Sequence, residues 1–366
     1  MSKADDMKKI LFLLLISCFP FYSVWACESV LEPGPYQAGH QTWMLEDTSR
    51  GVPPYNNSKG SDTRELVTEI WYPSDTISGT ISGRNAPLTA SPGPFPLIVY
   101  SHGIMSERME TEYLARYLAT QGVVFMSFTA PATSLYNAAN LNFGDIVNIP
   151  GDVSFLIDEI LKRNSDPSSP FYAKIDEACI GAAGTSLGAG VSLMAGFKSD
   201  LRDPRLSLVV TFAAGAREDP AQTIFDNPEI VIPLLLIHGD IDAIIPYDEN
   251  APVLLSAAPG PAYLMTLVGG THTGFANVST LFFLTDNVDN VGCAALSMAG
   301  LDLCDLPLPA GMNPQRQHDL TAMATWNFIA MHFSGDLKKR AQAVDFLLNI
   351  MPEKYGEEIA IQSNGK

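Results

Sequence analysis

Six short, continuously apolar runs constrain this chain more than any other feature: PLIVYSH, VVFMSF, ACIGAA, SLVVTFA, PLLLIHG and AYLMTLVGG. Each is as long as a strand and too short for a buried helix. None alternates with polar residues, so each must be covered on both faces. Helical patterns fall between them, most clearly METEYLARYLATQG, GDVSFLIDEILKRN and the stretch after Ser186. Strand and helix in alternation predict an α/β fold: a mostly parallel central sheet with helices on both faces. RELVTEIWYP (64–73) alternates instead and reads as a half-buried strand. Residues 27–63, rich in Pro, Gly, Asn and Ser, read as a loop-rich hairpin region, so an antiparallel strand pair is expected at the N-terminal edge. The stretch SDTISGTISGRNAPLTASPGPFP reads as a surface loop, and helices are expected from Asp319 to Met331 and from Leu337 to Met351. No internal repeat interrupts this, and 27–366 is expected to be one domain.

The N-terminus follows a different logic. Lys8 and Lys9 precede the apolar run ILFLLLIS, which ends near VWA, with small Val24 and Ala26 where a signal peptidase reads. Residues 1–26 are therefore expected to be a signal peptide, with translation starting at Met1 or at Met7, and the protein to be exported, secreted or periplasmic. A membrane anchor is the alternative, but Pro20 interrupts a run already short of about 20 apolar residues.

Of five cysteines, Cys18 leaves with the signal. Cys293 and Cys304 flank a short loop that a disulfide would staple by roughly 3 kcal/mol. Cys179, inside a strand pattern, reads as a buried free thiol. Cys27 stands at the expected new N-terminus, a placement that resembles the lipidated cysteine of a bacterial lipoprotein and would give a membrane tether. The formal charge of −18 argues against nucleic acid as a partner. No protein partner is evident.

GAAGTSLGAGVS (181–192) holds one serine between two glycines. Ser186 is either a nucleophile or a small residue in a glycine-rich turn. The strand ACIGAA before it and the helical pattern after it supply the strand–turn–helix context of a nucleophile elbow. A phosphate loop would need Lys and Ser or Thr after Gly188, where Ala189 and Gly190 stand. A dinucleotide fingerprint would need glycine at Leu193. A serine needs a base, and His272 in GGTHTGF follows the last apolar run among small residues. His40, His238, His318 and His332 read as structural. The orienting acid should lie between the two. HGDIDAIIP offers Asp240 and Asp242, of which Asp242 stands off the strand end and Asp240 reads as a turn residue. Backbone N–H groups of Leu187 and of Ile104, in the loop YSHGIMSER, are the expected oxyanion donors. Gly103 permits close approach and His102 shapes that loop by hydrogen bonding.

Ser186, Asp242 and His272 in that order, with SHG upstream, resemble the α/β-hydrolase superfamily over about residues 34–350. GPYQAG, EIWYP, YSHG, GTSLG, HGDIDAIIP and GGTHTGF look most like secreted bacterial esterases of the dienelactone hydrolase and platelet-activating-factor acetylhydrolase group. The last two motifs also resemble polyester hydrolases and cutinases. Dienelactone hydrolases proper use cysteine where this chain has Ser186. Platelet-activating-factor acetylhydrolases place their acid soon after the next strand, where this chain has only FAAGA (212–216).

The resemblance implies a serine ester hydrolase acting through an acyl-enzyme on small or medium acyl esters, lipid or polyester among them. An acyltransferase or amidase with the same triad is the alternative, and a non-catalytic binding protein on the same fold is another. No cofactor is required and no cluster has metal-ligand spacing. The apolar segment 273–316 is expected to form a small cap or a pocket wall, with Phe275, Phe282 and Phe283 lining it. A helix pair packed on the core is the other reading.

Overall fold

The computed structural model describes residues 29–76, 83–216, 219–282 and 285–366. The expected signal peptide, Cys27 and Phe283 lie outside them.

One nine-stranded sheet organises the described chain, in the order β1-β2-β4-β3-β5-β6-β7-β8-β9. β1 (Gln37–Asp47) and β2 (Arg64–Ser74) pair antiparallel along their whole length, and β2 joins β4 (Val124–Phe128) antiparallel. From β4 through β3 (Phe95–Ser101), β5 (Ile175–Thr185), β6 (Leu206–Phe212), β7 (Leu234–Gly239) and β8 (Ala262–Leu267), every pairing is parallel. β9 (Ile359–Ser363) returns antiparallel along β8.

The apolar runs are buried because the sheet is covered twice. Ile98, Tyr100 and Phe125 pack on one side with α1 (Glu112–Thr120) and α6 (Pro314–Phe333). Leu97, Val99, Val124 and Met126 pack on the other with α2 (Ile149–Ser165) and α3 (Leu187–Phe197). Alternate residues of one strand thus enter opposite cores, as the period of a strand demands. α4 (Tyr247–Ala257) extends the second layer beyond α3, and α5 (Asp289–Met298) lies between β8 and α6 in sequence. α7 (Leu337–Asp345) runs through a π-helical turn at Phe346–Ile350 into α8 (Met351–Tyr355).

Strand order locates the site. After β3 the chain crosses to β4 on one side, and after β4 it crosses back to β5 on the other. The loops leaving β3 and β5 therefore diverge and open a crevice at their carboxyl ends. Register brings those ends level, with Ser101 beside Gly184.

The N-terminal edge agrees with the sequence, and two other features depart from it. The 27–63 region supplies the expected edge strand, β1, which pairs antiparallel with β2, and outside β1 its described residues are mostly loop. β9 was not foreseen, since a five-residue edge strand ending in Gln362 and Ser363 needs only one apolar face. Cys179 is free but only half-buried, and burial pushes its thiol up to about 11.

A buried charge cluster ties the sheet edge to the helical layer. Arg64 has no exposed surface, and all its bonds are internal: Nε and Nη2 to Asp152 at 2.8 and 2.7 Å, Nη1 and Nη2 to Asp145 at 2.8 and 2.9 Å, and Nη1 to Gly51 O at 3.2 Å. Asp145 belongs to the 3-10 segment Phe143–Asn148, and Asp152 to the first turn of α2. Removing one member leaves uncompensated charge in the interior. Arg64→Met is expected to lower stability by about 3–5 kcal/mol in urea unfolding, far beyond the loss from an exposed arginine.

Candidate active site

Ser186 sits at the turn between β5 and α3 with φ 55° and ψ −117°, a backbone conformation that a side chain adopts only under constraint. The constraint is the packing around it. A Cβ on Gly184 would stand 2.2 Å from Gly188 O, and one on Gly188 would stand 1.9 Å from Ser101 O. Only glycine allows β3, β5 and the first turn of α3 to approach so closely. Ser186 N–H donates to Phe212 O at 2.9 Å, which fixes the turn to β6 as well.

The loop after β3 is held from within. His102 Nε2 accepts from Ala130 N–H at 2.9 Å, so the proton lies on Nδ1, which donates to Gly103 O at 2.6 Å. Burial lowers this imidazole to about 4 and keeps it neutral. Met105 takes φ 56° and its N–H donates to Thr133 O. The loop passes close to the serine, for the Cβ position of Gly103 is 3.5 Å from Ser186 Cβ. Ile104 and Leu187 both line the cavity with Ser186, and among the described residues neither N–H has a protein acceptor. Two free donors flanking one hydroxyl form an arrangement suited to an oxyanion.

The candidate acid and base come from the loops after β7 and β8. Asp242 Oδ2 accepts from His272 Nδ1 at 2.8 Å, while Oδ1 accepts the N–H groups of Ile244 and Ile245 at 2.9 and 2.7 Å. His238 Nε2 donates to Ile245 O at 2.8 Å and stands 3.3 Å from Asp242 Oδ2. Burial would raise the Asp242 carboxyl, but His272 and His238 overcome it and hold it well below the usual carboxylate range. Burial would equally lower His272. The Asp242 charge and hydrogen bond outweigh it, with Asp289 and Glu110 adding to the same effect, and the imidazole ends above its ordinary value. Asp240 takes no part: its Oδ1 accepts Gly269 N–H at 2.7 Å, closing the turn between the two loops.

Ser186 and His272 open onto one cavity of about 1560 Å³. Its walls are mostly apolar: Met105 and Leu187 near the serine, Phe143, Ile146 and Val147 from the segment that Arg64 anchors, and Leu281, Phe282 and Leu296 beyond His272. Of the three phenylalanines expected there, Phe282 lines the cavity. Phe275 does not: it is fully buried and stacks on Phe212 with ring centroids 5.7 Å apart, because the 3-10 turn Thr273–Phe275 points it into the sheet core. Cys293 and Cys304 form the expected disulfide, which closes the end of α5 behind the cavity wall.

Two acidic residues near the site were not singled out from the sequence. Glu110 accepts Gly103 N–H at 3.0 Å and Tyr100 OH at 2.5 Å, and burial pushes its carboxyl up. Asp289 accepts backbone N–H groups on either side of the dyad. Neither lies in a motif, and each bonds backbone N–H groups, which leave no mark in a sequence. His318 stacks on Tyr113, and His40 bonds Glu69, each in a structural setting. Among the described residues no group of His, Cys, Asp and Glu could hold a metal ion.

No protein-family model matches the chain, and no curated protein is similar to it in sequence. A solved structure of a ferulic acid esterase from Streptomyces cinnamoneus superposes with a TM-score of 0.62 over 82% of this chain and 91% of that one, at 19% identity. This is an α/β-hydrolase fold. Within the hydrolase fold, the serine turn, the acid loop and the histidine loop all leave the carboxyl edge of the parallel strands.

Close packing at the serine turn gives a paired prediction. Gly188→Ala is expected to destabilise the protein by about 1–3 kcal/mol, because its methyl meets backbone that cannot yield. Gly190→Ala, where nothing stands within 4 Å, is expected to be neutral or stabilising by up to about 1 kcal/mol, since it removes a helix-interior glycine. Urea unfolding of the two variants separates them.

Proposed function

We propose that this protein is a serine carboxylic ester hydrolase. The observation that carries the reading is the 2.8 Å Asp242–His272 hydrogen bond, whose histidine shares a cavity with Ser186 on its strained turn. The mechanism is two-step acyl transfer. Ser186 Oγ attacks the ester carbonyl while His272 Nε2 takes its proton, and Asp242 steadies the imidazolium. The Ile104 and Leu187 N–H groups hold the oxyanion, and the alcohol leaves with the proton from His272. Water, deprotonated by His272, then attacks the acyl-enzyme; its proton returns through His272 to Ser186 as the acid departs.

The apolar walls favour esters with a substantial hydrocarbon or aromatic part over small polar ones. Motif likeness to the dienelactone hydrolase and platelet-activating-factor acetylhydrolase group, and to cutinases, supports the same class. So does the fold shared with a protein named a ferulic acid esterase. In this reading segment 273–316 is a wall of the substrate cavity within one domain. Export, with Cys27 as a lipid tether, is supported by the sequence of the N-terminus and is compatible with the disulfide. Among the described residues no helix is long and apolar enough to cross a membrane. Acyl transfer to an alcohol or cleavage of an amide would use the same groups.

A fluorophosphonate probe is expected to label the wild type and not Ser186→Ala. Absence of labelling in well-folded wild type would overturn the reading. The pH dependence has a definite sign. His272 must be neutral to accept a proton and its pKa is raised, so kcat/KM should climb with pH through an apparent pKa above the ordinary histidine value of about 6.5. Asp242→Asn should move that limb downward and lower kcat by a factor on the order of 10⁴. An unchanged profile in that variant would remove Asp242 from the triad.

A further inference from the structure

Asp289 is the first residue of α5, and its side chain has no exposed surface. A carboxylate that merely starts a helix bonds to the first N–H groups of its own helix. Asp289 sends its bonds elsewhere. Oδ2 accepts the N–H of His272 at 3.0 Å and of Ala243 at 3.1 Å, and Oδ1 accepts the N–H of Thr273 at 2.6 Å. The donors lie on two loops that leave different strands, β7 and β8. One is the backbone of His272 itself, and another follows Asp242 directly.

We propose that Asp289 is a positioning residue of the active site, a single buried carboxylate that locks the Asp242 loop and the His272 loop to one another. The proposal rests on the reading of Ser186, Asp242 and His272 as an acyl-transfer triad. The bond between Asp242 and the His272 ring sets the ring's orientation only if the two backbones keep their separation, and Asp289 bridges those backbones. Three donors converge on two oxygens, so both must be acceptors. An asparagine would turn its NH₂ toward at least one N–H. Among the described residues no lysine or arginine is paired with Asp289, so its charge is met by amide dipoles.

The bracket is itself braced. Asn287 Oδ1 accepts Asp289 N–H at 2.8 Å, and Asn287 Nδ2 donates to Pro309 O at 2.8 Å. A Cβ on Gly292 would stand 2.3 Å from Thr273 Oγ1, so α5 lies hard against the histidine loop, and Cys293–Cys304 closes the segment behind it. The charged groups facing His272 are Asp242 from the loop after β7, Asp289 from α5 and Glu110 from the turn before α1, with His238 of β7 on the far side of Asp242. Asp289 therefore also favours the imidazolium that forms during attack.

The test uses Asp289→Asn and the smaller neutral Asp289→Ser in the full-length protein. Readouts are thermal unfolding, kcat and KM on a soluble short-chain p-nitrophenyl ester, and the His272 imidazole titration followed by NMR. A folded Asn variant should lose kcat by a factor on the order of 10 to 100 with KM nearly unchanged, and its His272 pKa should fall. The Ser variant should behave alike, and decides the matter should the Asn variant not fold. Wild-type kcat together with an unshifted His272 titration in either folded variant would overturn the proposal, as would an activity loss that tracks lowered thermal stability while the titration stays in place. If the wild type hydrolyses no ester, the functional reading fails, and the titration together with the amide shifts of Ala243, His272 and Thr273 still decides whether Asp289 links the loops.

Discussion

The carbonyl oxygen of Ser101 occupies the space that any side chain on Gly188 would need. This contact joins the end of β3 to the first turn of α3, and the remaining features of the crevice follow from it. Because the two backbones touch, the β5–α3 turn has to be sharp, and because it is sharp, Ser186 is forced to positive φ and lifted from the sheet. The same contact brings the loop after β3 within reach of the serine, so that Ile104 and Leu187 present their N–H groups to one space. Strain of about 1–3 kcal/mol at the serine is held by pairing with β3 and β6 and by the buried faces of α2 and α3.

Around His272 the electrostatics rest on backbone rather than on counter-charges. Asp242, Asp289 and Glu110 are three carboxylates near one imidazole, and amide groups answer each of them. Dipoles of this kind are already oriented and need no reorganisation when the imidazole becomes charged. Arg64 shows the opposite solution at the sheet edge, where a guanidinium spends every donor on internal partners and fixes the segment carrying Phe143, Ile146 and Val147. One end of the cavity is thus held by an ion cluster and the other by amides.

How much of this could be read from the sequence follows from where each signal resides. The parallel strands were legible because a strand covered on both faces must be apolar throughout. Ser186, Asp242 and His272 were singled out because local turn chemistry surrounds each. The edge strand β9 was not, because its partner lies far away in sequence and an edge strand needs little side-chain signature. Phe275 was misplaced for a related reason: aromatic character says that a residue is buried, and only the 3-10 turn decides whether it faces the cavity or Phe212. Asp289 and Glu110 act on amides, which every residue carries, so no pattern could distinguish them from surface acids.

β9 has a consequence for how the protein comes into being. It pairs with β8 through residues 359–363, whereas β8 itself ends at Leu267. For nearly a hundred residues of synthesis, the edge of β8 has no partner and the sheet cannot close. A chain in that state is poorly committed to its final form and is open to pairing with other chains until β9 arrives.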